Sequence, residues 1–155
     1  MKFIEQVKKR AAEKKCAIVL PESYDGRVAQ AAKEIAKEGV AKIVLLSDGE
    51  KKIPGEDGLR QEGVEILDYK NNTDFEDLAD ELYMLRKHKG ISKEQARNLL
   101  MDPLYYGAML VRNQRVDGMV AGACHSTGDT LRPALQIVKT AEGIKTVSAY
   151  FLMVV

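Results

Sequence analysis

The sequence predicts an α/β fold, a mostly parallel sheet with helices on both faces. Three observations carry this. Short apolar, β-branched runs alternate with amphipathic stretches of helical period along the chain. Helix starts and stops fall between them at regular intervals. And 155 residues at 45% hydrophobic and net charge +1 can bury a core yet are too apolar for disorder.

The elements follow in order. Phe3, Ile4, Val7 and Ala11 lie at helical spacing and predict a helix over 3–15. Ala17-Ile18-Val19-Leu20 reads as a strand closed by Pro21. Asp25 is a good N-cap for a helix carrying Val28, Ala31, Ala32, Ile35 and Ala36 to a stop at Gly39. Lys42-Ile43-Val44-Leu45-Leu46 is a second strand. From Ser47 to Gly63 glycines, Pro54 and charges describe an exposed connection with a short helix in it. Val64-Glu65-Ile66-Leu67 alternates, as a more peripheral strand does.

Thr73 with Glu76 forms a capping-box pattern opening a helix through Phe75, Leu78, Leu82 and Leu85 to Gly90. Ser92 with Gln95 repeats it, and Asp102-Pro103 opens a third helix ending near Arg112. Residues 116–123 are the next strand. Pro133 is best tolerated in a first turn, so the following helix is expected to begin around Asp129 or Thr130. The run 147–155, rich in Val and aromatics, reads as a buried strand cut before its turn from a longer protein. No internal repeat or interdomain linker is visible.

Composition also narrows function. Lys+Arg 24 against Asp+Glu 23 leaves no basic stripe for a nucleic-acid duplex. Two cysteines without CxxC spacing form neither a disulfide framework nor a zinc ribbon, in keeping with a reducing, cytoplasmic setting. The start lacks an apolar signal core, and no run reaches membrane-spanning length.

The segment His125 to Lys139 carries the chemistry. It joins a small-residue strand to a helix, where free N–H groups and the helix dipole favour an anion. Ser126, Thr127 and Thr130 add hydroxyls, Gly128 lets backbone approach a ligand, and Arg132 offers a planar fork for phosphate. Ordinary helix capping explains Ser, Thr and Asp here equally well. Neither GxxxxGK[ST] nor GxGxxG is present. Cys124 and His125, as neighbours on an extended chain, face opposite ways and make a poor nucleophile pair. Cys16 reads as a small buried hydrophobe, His88 as a solvent-exposed complement to a helix end, and Tyr105-Tyr106 as a packed helix face. Glu22, Ser23, Asp25 and Arg27 follow the first strand on the same carboxyl edge, where Asp25 also serves as a cap.

Asp117 to Ala123 followed by His125 to Gln136 closely resembles the signature of the phosphate acetyltransferases and the related phosphate butyryltransferases. Val19-Leu20-Pro21-Glu22, Asp25 with Arg27-Val28, Leu85-Arg86-Lys87 with Lys89-Gly90, and Asp102-Pro103 with Tyr106-Gly107 resemble it too, in the same order. The resemblance implies transfer of an acetyl group between coenzyme A and inorganic phosphate. It further implies two α/β domains with the site between them, usually in a homodimer. The substrates implied are acetyl-CoA, phosphate and acetyl phosphate, with no tightly bound cofactor; composition, cysteine spacing and run length point to no metal site, no nucleic acid and no membrane. Arg132 and Arg86 fall on arginines implicated in coenzyme A or phosphate binding, and Ser126 and Thr127 on the loop facing the cleft.

Three departures stand out. Gly128 occupies a position where alanine is common in the family. Ser23-Tyr24-Asp25-Gly26 differs from the usual wording. The aspartate-serine-arginine-glycine catalytic region has no counterpart, so the general base is expected beyond residue 155. On this reading residues 1–145 are a first α/β domain carrying part of the substrate cleft, and 146–155 start a truncated second one. The alternatives are a non-catalytic acyl-phosphate or coenzyme A module, a butyryl-specific relative, and a nucleotide-binding domain, for which no fingerprint exists.

Overall fold

The computed structural model describes residues 3–148 and 152–153. Strands β1 (Ala17–Leu20), β2 (Lys42–Ser47), β3 (Glu65–Asp68) and β4 (Gly118–Met119) form one parallel sheet in the order β3-β2-β1-β4. Helices α1 (Phe3–Lys14), α2 (Gly26–Lys37), α3 (Glu56–Gln61), α4 (Phe75–Arg86), α5 (Lys93–Leu100), α6 (Pro103–Arg112) and α7 (Thr127–Pro133) complete it. A 3-10 turn, Lys87–Lys89, extends α4, and a π-helical turn, Ala134–Val138, extends α7. Ala17 aligns with Lys42 and Leu20 with Leu45, while Ile18 and Val19 face Gly118 and Met119.

Strand alternation splits the core in two. Val19, Val44 and Leu46 point to one face, beneath Leu78 and Leu82 of α4, Leu100 of α5 and Tyr106 and Met109 of α6. Leu20, Ile43 and Leu45 point to the other, against Ala29 and Ala32 of α2 and Leu59 of α3. The predicted architecture is therefore present, with β3 at an edge as its alternation implied. Tyr106 is fully buried, its ring 5.1 Å from that of Tyr69 and 6.3 Å from that of Phe75, so the Tyr105-Tyr106 pair is a packed face. Gly107 lets α6 lie close on the sheet, since a Cβ there would sit 2.8 Å from Met119 Sδ. Helix α1 buries none of its residues. Beside it an apolar groove of about 510 Å³ runs over Ile18, Ile43 and Val28.

Several expectations need correction. Thr73 and Glu76 form no capping box: Asn72 Oδ1 accepts the Asp74 N–H, and Glu76 pairs with Arg97. The Ser92–Gln95 box does form. Helix α7 starts at Thr127 rather than Asp129, capped by Ser126, which puts Pro133 at its seventh residue. Proline cannot donate to the carbonyl four residues back and crowds it, and the wide π-helical turn directly after Pro133 accommodates the break. Strand β4 is shorter than the predicted 116–123 because its continuation is drawn off the ladder. Of the run 147–155, Val147, Ser148, Leu152 and Met153 are exposed and outside any strand; the rest of the predicted strand lies outside the described residues. Among the described residues no helix is long and apolar enough to cross a membrane.

Candidate functional site

Successive strands β1, β2 and β3 step outward in one direction, and β4 lies on the opposite side of β1. The loops leaving the carboxyl ends of β1 and β4 therefore diverge, and a parallel sheet opens a crevice at such a reversal. The loop after β1 brings Pro21 to Asp25 here, and the loop after β4 brings Val120 to Ser126.

Glu22 joins the two loops. Its side chain is almost wholly buried, and its Oε2 accepts the N–H groups of Gly122 and Ala123, both at 2.8 Å. Its Oε1 accepts the Cys124 N–H at 2.7 Å, the His125 N–H at 3.0 Å and the His125 ring Nδ1 at 2.7 Å. Burial on its own would raise this carboxyl's pKa. The Cys124 N–H, the His125 ring and the Ala123 and Gly122 N–H groups outweigh burial and hold it below its ordinary value. Gly122 takes φ of 108°, a conformation that bends the loop around the carboxylate and that favours glycine. The backbone donors that the sequence offered to an external anion are thus largely held by the protein's own.

A second stitch lies beside the first. Asp25 caps α2 through the Arg27 N–H and grips the Arg27 guanidinium at 2.7 and 3.0 Å, while Arg27 Nη2 donates to the Ala123 carbonyl. Cys124 Sγ donates to Asp25 Oδ2 at 3.1 Å. That bond, then burial and the charges of Asp25 and Glu22, push the thiol's pKa up, so Cys124 is held as a thiol and not as a nucleophilic thiolate. Cys124 and His125 do face different carboxylates, as their adjacency implied. Replacing Asp25 by asparagine is expected to accelerate alkylation of Cys124 by iodoacetamide at pH 8 severalfold, measured by mass spectrometry in a Cys16→Ser background. An unchanged rate would remove Asp25 from the control of this thiol.

The predicted ligand residues divide into two groups. Ser126 accepts the Asp129 N–H and donates to Asp129 Oδ2 at 2.7 Å, and Thr130 Oγ1 donates to the Ser126 carbonyl, so both serve the start of α7. Thr127 is exposed at the first position of α7. Arg132 is exposed and only loosely paired, 3.8 Å from Asp129 Oδ1. Arg86, at the end of α4, has a buried Nε with no hydrogen-bond partner among the described residues. The charges of Arg86 and Arg132 both reach Tyr105 of α6. Burial raises the phenol's pKa, and the positive fields of Arg132 and Arg86 both oppose that rise, with Asp102 adding to it. Tyr105 Oη in turn donates to Gln136 Oε1 at 3.0 Å, tying α6 to the π-helical turn. Sequence reasoning did not single out Tyr105 and Gln136 for this bridge, nor Glu22 for its clamp; all three depend on contacts between distant segments.

The profile described as "Phosphate acetyl/butaryl transferase" matches residues 2–155. The chain belongs to this family. It is 53% identical over 156 residues to a phosphate acetyltransferase of Acetivibrio thermocellus, covering 100% of this chain and 47% of that one. It is 41% identical to the Bacillus subtilis phosphate acetyltransferase, covering 95% of this chain and 46% of that protein. A phosphotransacetylase structure from Streptococcus pyogenes superposes with a TM-score of 0.81 at 34% identity, covering 94% of this chain and 46% of that one. The chain therefore spans about half the length of the curated relatives it matches. Gly128, the departure from the common alanine, has an ordinary φ, and a Cβ there would meet only Ser126 Oγ at 3.8 Å. The loop glycine required by conformation is Gly122.

Proposed function

We propose that this chain is the N-terminal part of an acyltransferase that moves an acetyl group between coenzyme A and inorganic phosphate: acetyl-CoA + phosphate = CoA + acetyl phosphate. Residues 1–145 form the first α/β domain and carry one wall of the substrate cleft, and 146–155 lead into a second domain that brings the general base. The full-length enzyme works in the cytoplasm as a homodimer, with coenzyme A as a substrate and not as a resident cofactor.

The observations that support this reading are the buried Nε of Arg86, which has no hydrogen-bond partner among the described residues, and the exposed, loosely paired Arg132. A guanidinium with a buried nitrogen lacking a partner and a second one only loosely paired, the charges of both reaching Tyr105, suit the phosphates of an anionic substrate. Ser126, Thr127 and Thr130 shape the adjoining loop and present Arg132 from the helix that Ser126 caps.

Calorimetry tests the reading. Coenzyme A is expected to bind the chain, and Arg132→Ala to weaken that binding roughly ten- to hundredfold, the loss of a charge-assisted contact of about 1.5–3 kcal/mol. Equal affinity in both proteins would overturn the assignment of Arg132. The chain alone is expected to form no acetyl-CoA from acetyl phosphate, and measurable formation would show that its site needs no second domain.

A further inference from the structure

Helix α7 carries Arg132, yet packing does little to hold it. Of its seven residues only Pro133 is buried, and Leu131 is 43% exposed. A short helix with so little buried surface takes its direction from what grips its ends. The far end is gripped through the π-helical turn: Tyr105 Oη donates to Gln136 Oε1, Arg112 Nη1 donates to the Ile137 carbonyl at 3.1 Å, and the Ile137 side chain is fully buried. The near end is held differently. Ser126 caps the helix from within, through Asp129, and that cap would travel with α7 wherever it pointed.

What ties the near end to the sheet is Glu22. It follows β1 closely, and its two oxygens take four consecutive N–H groups, those of Gly122 to His125, at distances between 2.7 and 3.0 Å. Such a run of donors around one anion is a nest, here filled by the protein's own carboxylate. Arg27 adds a bond from Nη2 to the Ala123 carbonyl, but from a side chain that is 76% exposed. The last clamped N–H belongs to His125, next in the chain to the Ser126 cap, and the Thr130 N–H and Oγ1 both donate to the Ser126 carbonyl at 3.1 Å. The loop also lies against the helix, since a Cβ on Gly122 would stand 3.8 Å from Thr130 Oγ1. Bonds to a carboxylate are the strong ones in this path, which runs from the carboxyl edge of β1 through residues 122–126 into the helix that carries Arg132.

We propose that Glu22 is a positioning residue for Arg132: by holding the backbone of residues 122–125 it fixes the direction in which α7 leaves the sheet, and with it where the Arg132 guanidinium meets an anionic substrate. For the identity of that substrate this rests on the acetyl-transfer reading, whereas the hold of Glu22 on α7 is a property of the chain alone.

Two measurements on the 155-residue chain test it, and the first needs no ligand. N–H residual dipolar couplings of Thr127 to Arg132 report the direction of α7 against that of β1 and β2. In wild type both sets are expected to fit one rigid body. In Glu22→Gln, whose amide turns its own N–H groups towards some of the clamped donors, the sheet couplings should hold while those of α7 shrink or turn. Couplings of α7 that match wild type in folded Glu22→Gln overturn the proposal. Should that variant not fold, Glu22→Asp, with the same charge one methylene shorter, is read by the same criterion. The second measurement is a double-mutant cycle on coenzyme A affinity, by calorimetry. Glu22→Gln is expected to weaken binding several-fold in the wild-type background and to change nothing in an Arg132→Ala background, because its effect passes through Arg132. Equal losses in both backgrounds would assign Glu22 to stability or to another contact, and so overturn the positioning role. A wild-type chain that binds no coenzyme A would count against the acetyl-transfer reading, and the couplings would then decide by themselves whether Glu22 directs α7.

Discussion

Glu22→Ala is expected to destabilise the chain at neutral pH by roughly 1–3 kcal/mol, the cost of leaving hydrogen-bond donors without their acceptor. The N–H groups of Gly122 to His125 and the His125 ring lose their acceptor together, and because Gly122, Ala123 and Cys124 are exposed, water replaces part of the loss. The variant should also change how stability responds to acid. Glu22's folded pKa lies below its ordinary value of 4.5, so the folded state binds this proton less readily than the unfolded chain. Its contribution is complete above the ordinary value and drains away as pH falls through the lower folded value. Urea unfolding at pH 7 and at successive steps below 5 should show wild type losing stability on acidification and Glu22→Ala losing less. Asp25, Asp48 and Asp129 are held low as well, so the acid limb becomes shallower without vanishing. A variant as stable as wild type at pH 7 would mean that the loop after β4 holds its shape without the clamp.

What made the sheet and its helices readable is that their causes are local. Alternation along Ile43 to Leu46, the Asp25, Ser92 and Asp102 caps and the Gly90 stop each depend on residues within a turn or two. The misreadings have causes beyond that range. Thr73 met a capping-box template, but Asn72 had already claimed the Asp74 N–H. Proline breaks an α-helical ladder and so points to a first turn at Pro133, whereas here the chain widens into a π-helical turn right after it. Residues up to 123 suit a strand, and β4 ends before them where a carboxylate 100 positions earlier takes the Gly122 N–H. The site divides the same way. Ser126, Thr127, Thr130 and Arg132 were visible as a loop and helix start, and Arg86 through resemblance. Glu22 was visible only as one of several polar residues on an edge, since nothing in Pro21-Glu22-Ser23 states which backbone will close around it.

The two glycines of the loop after β4 offer a prediction in which similar substitutions take opposite signs. Gly122→Ala is expected to destabilise by about 1–3 kcal/mol, because φ of 108° is strained for any residue bearing a Cβ. Relaxing that φ would swing the N–H groups of residues 122 and 123 away from Glu22 Oε2, so the loss also reaches the clamp. Gly128→Ala meets no such barrier. It sits at the second position of α7 with an ordinary φ, its new methyl in normal contact with Ser126 Oγ, and alanine favours helix by a few tenths to about 1 kcal/mol. Thermal unfolding of both variants should therefore place Gly122→Ala below wild type and Gly128→Ala at or above it. The loop's shape then follows from the left-handed bend at Gly122 that closes on Glu22, with Gly128 free to be alanine. Equal losses at both sites would instead mean that the start of α7 requires a bare backbone, as close approach of a ligand at Gly128 demands.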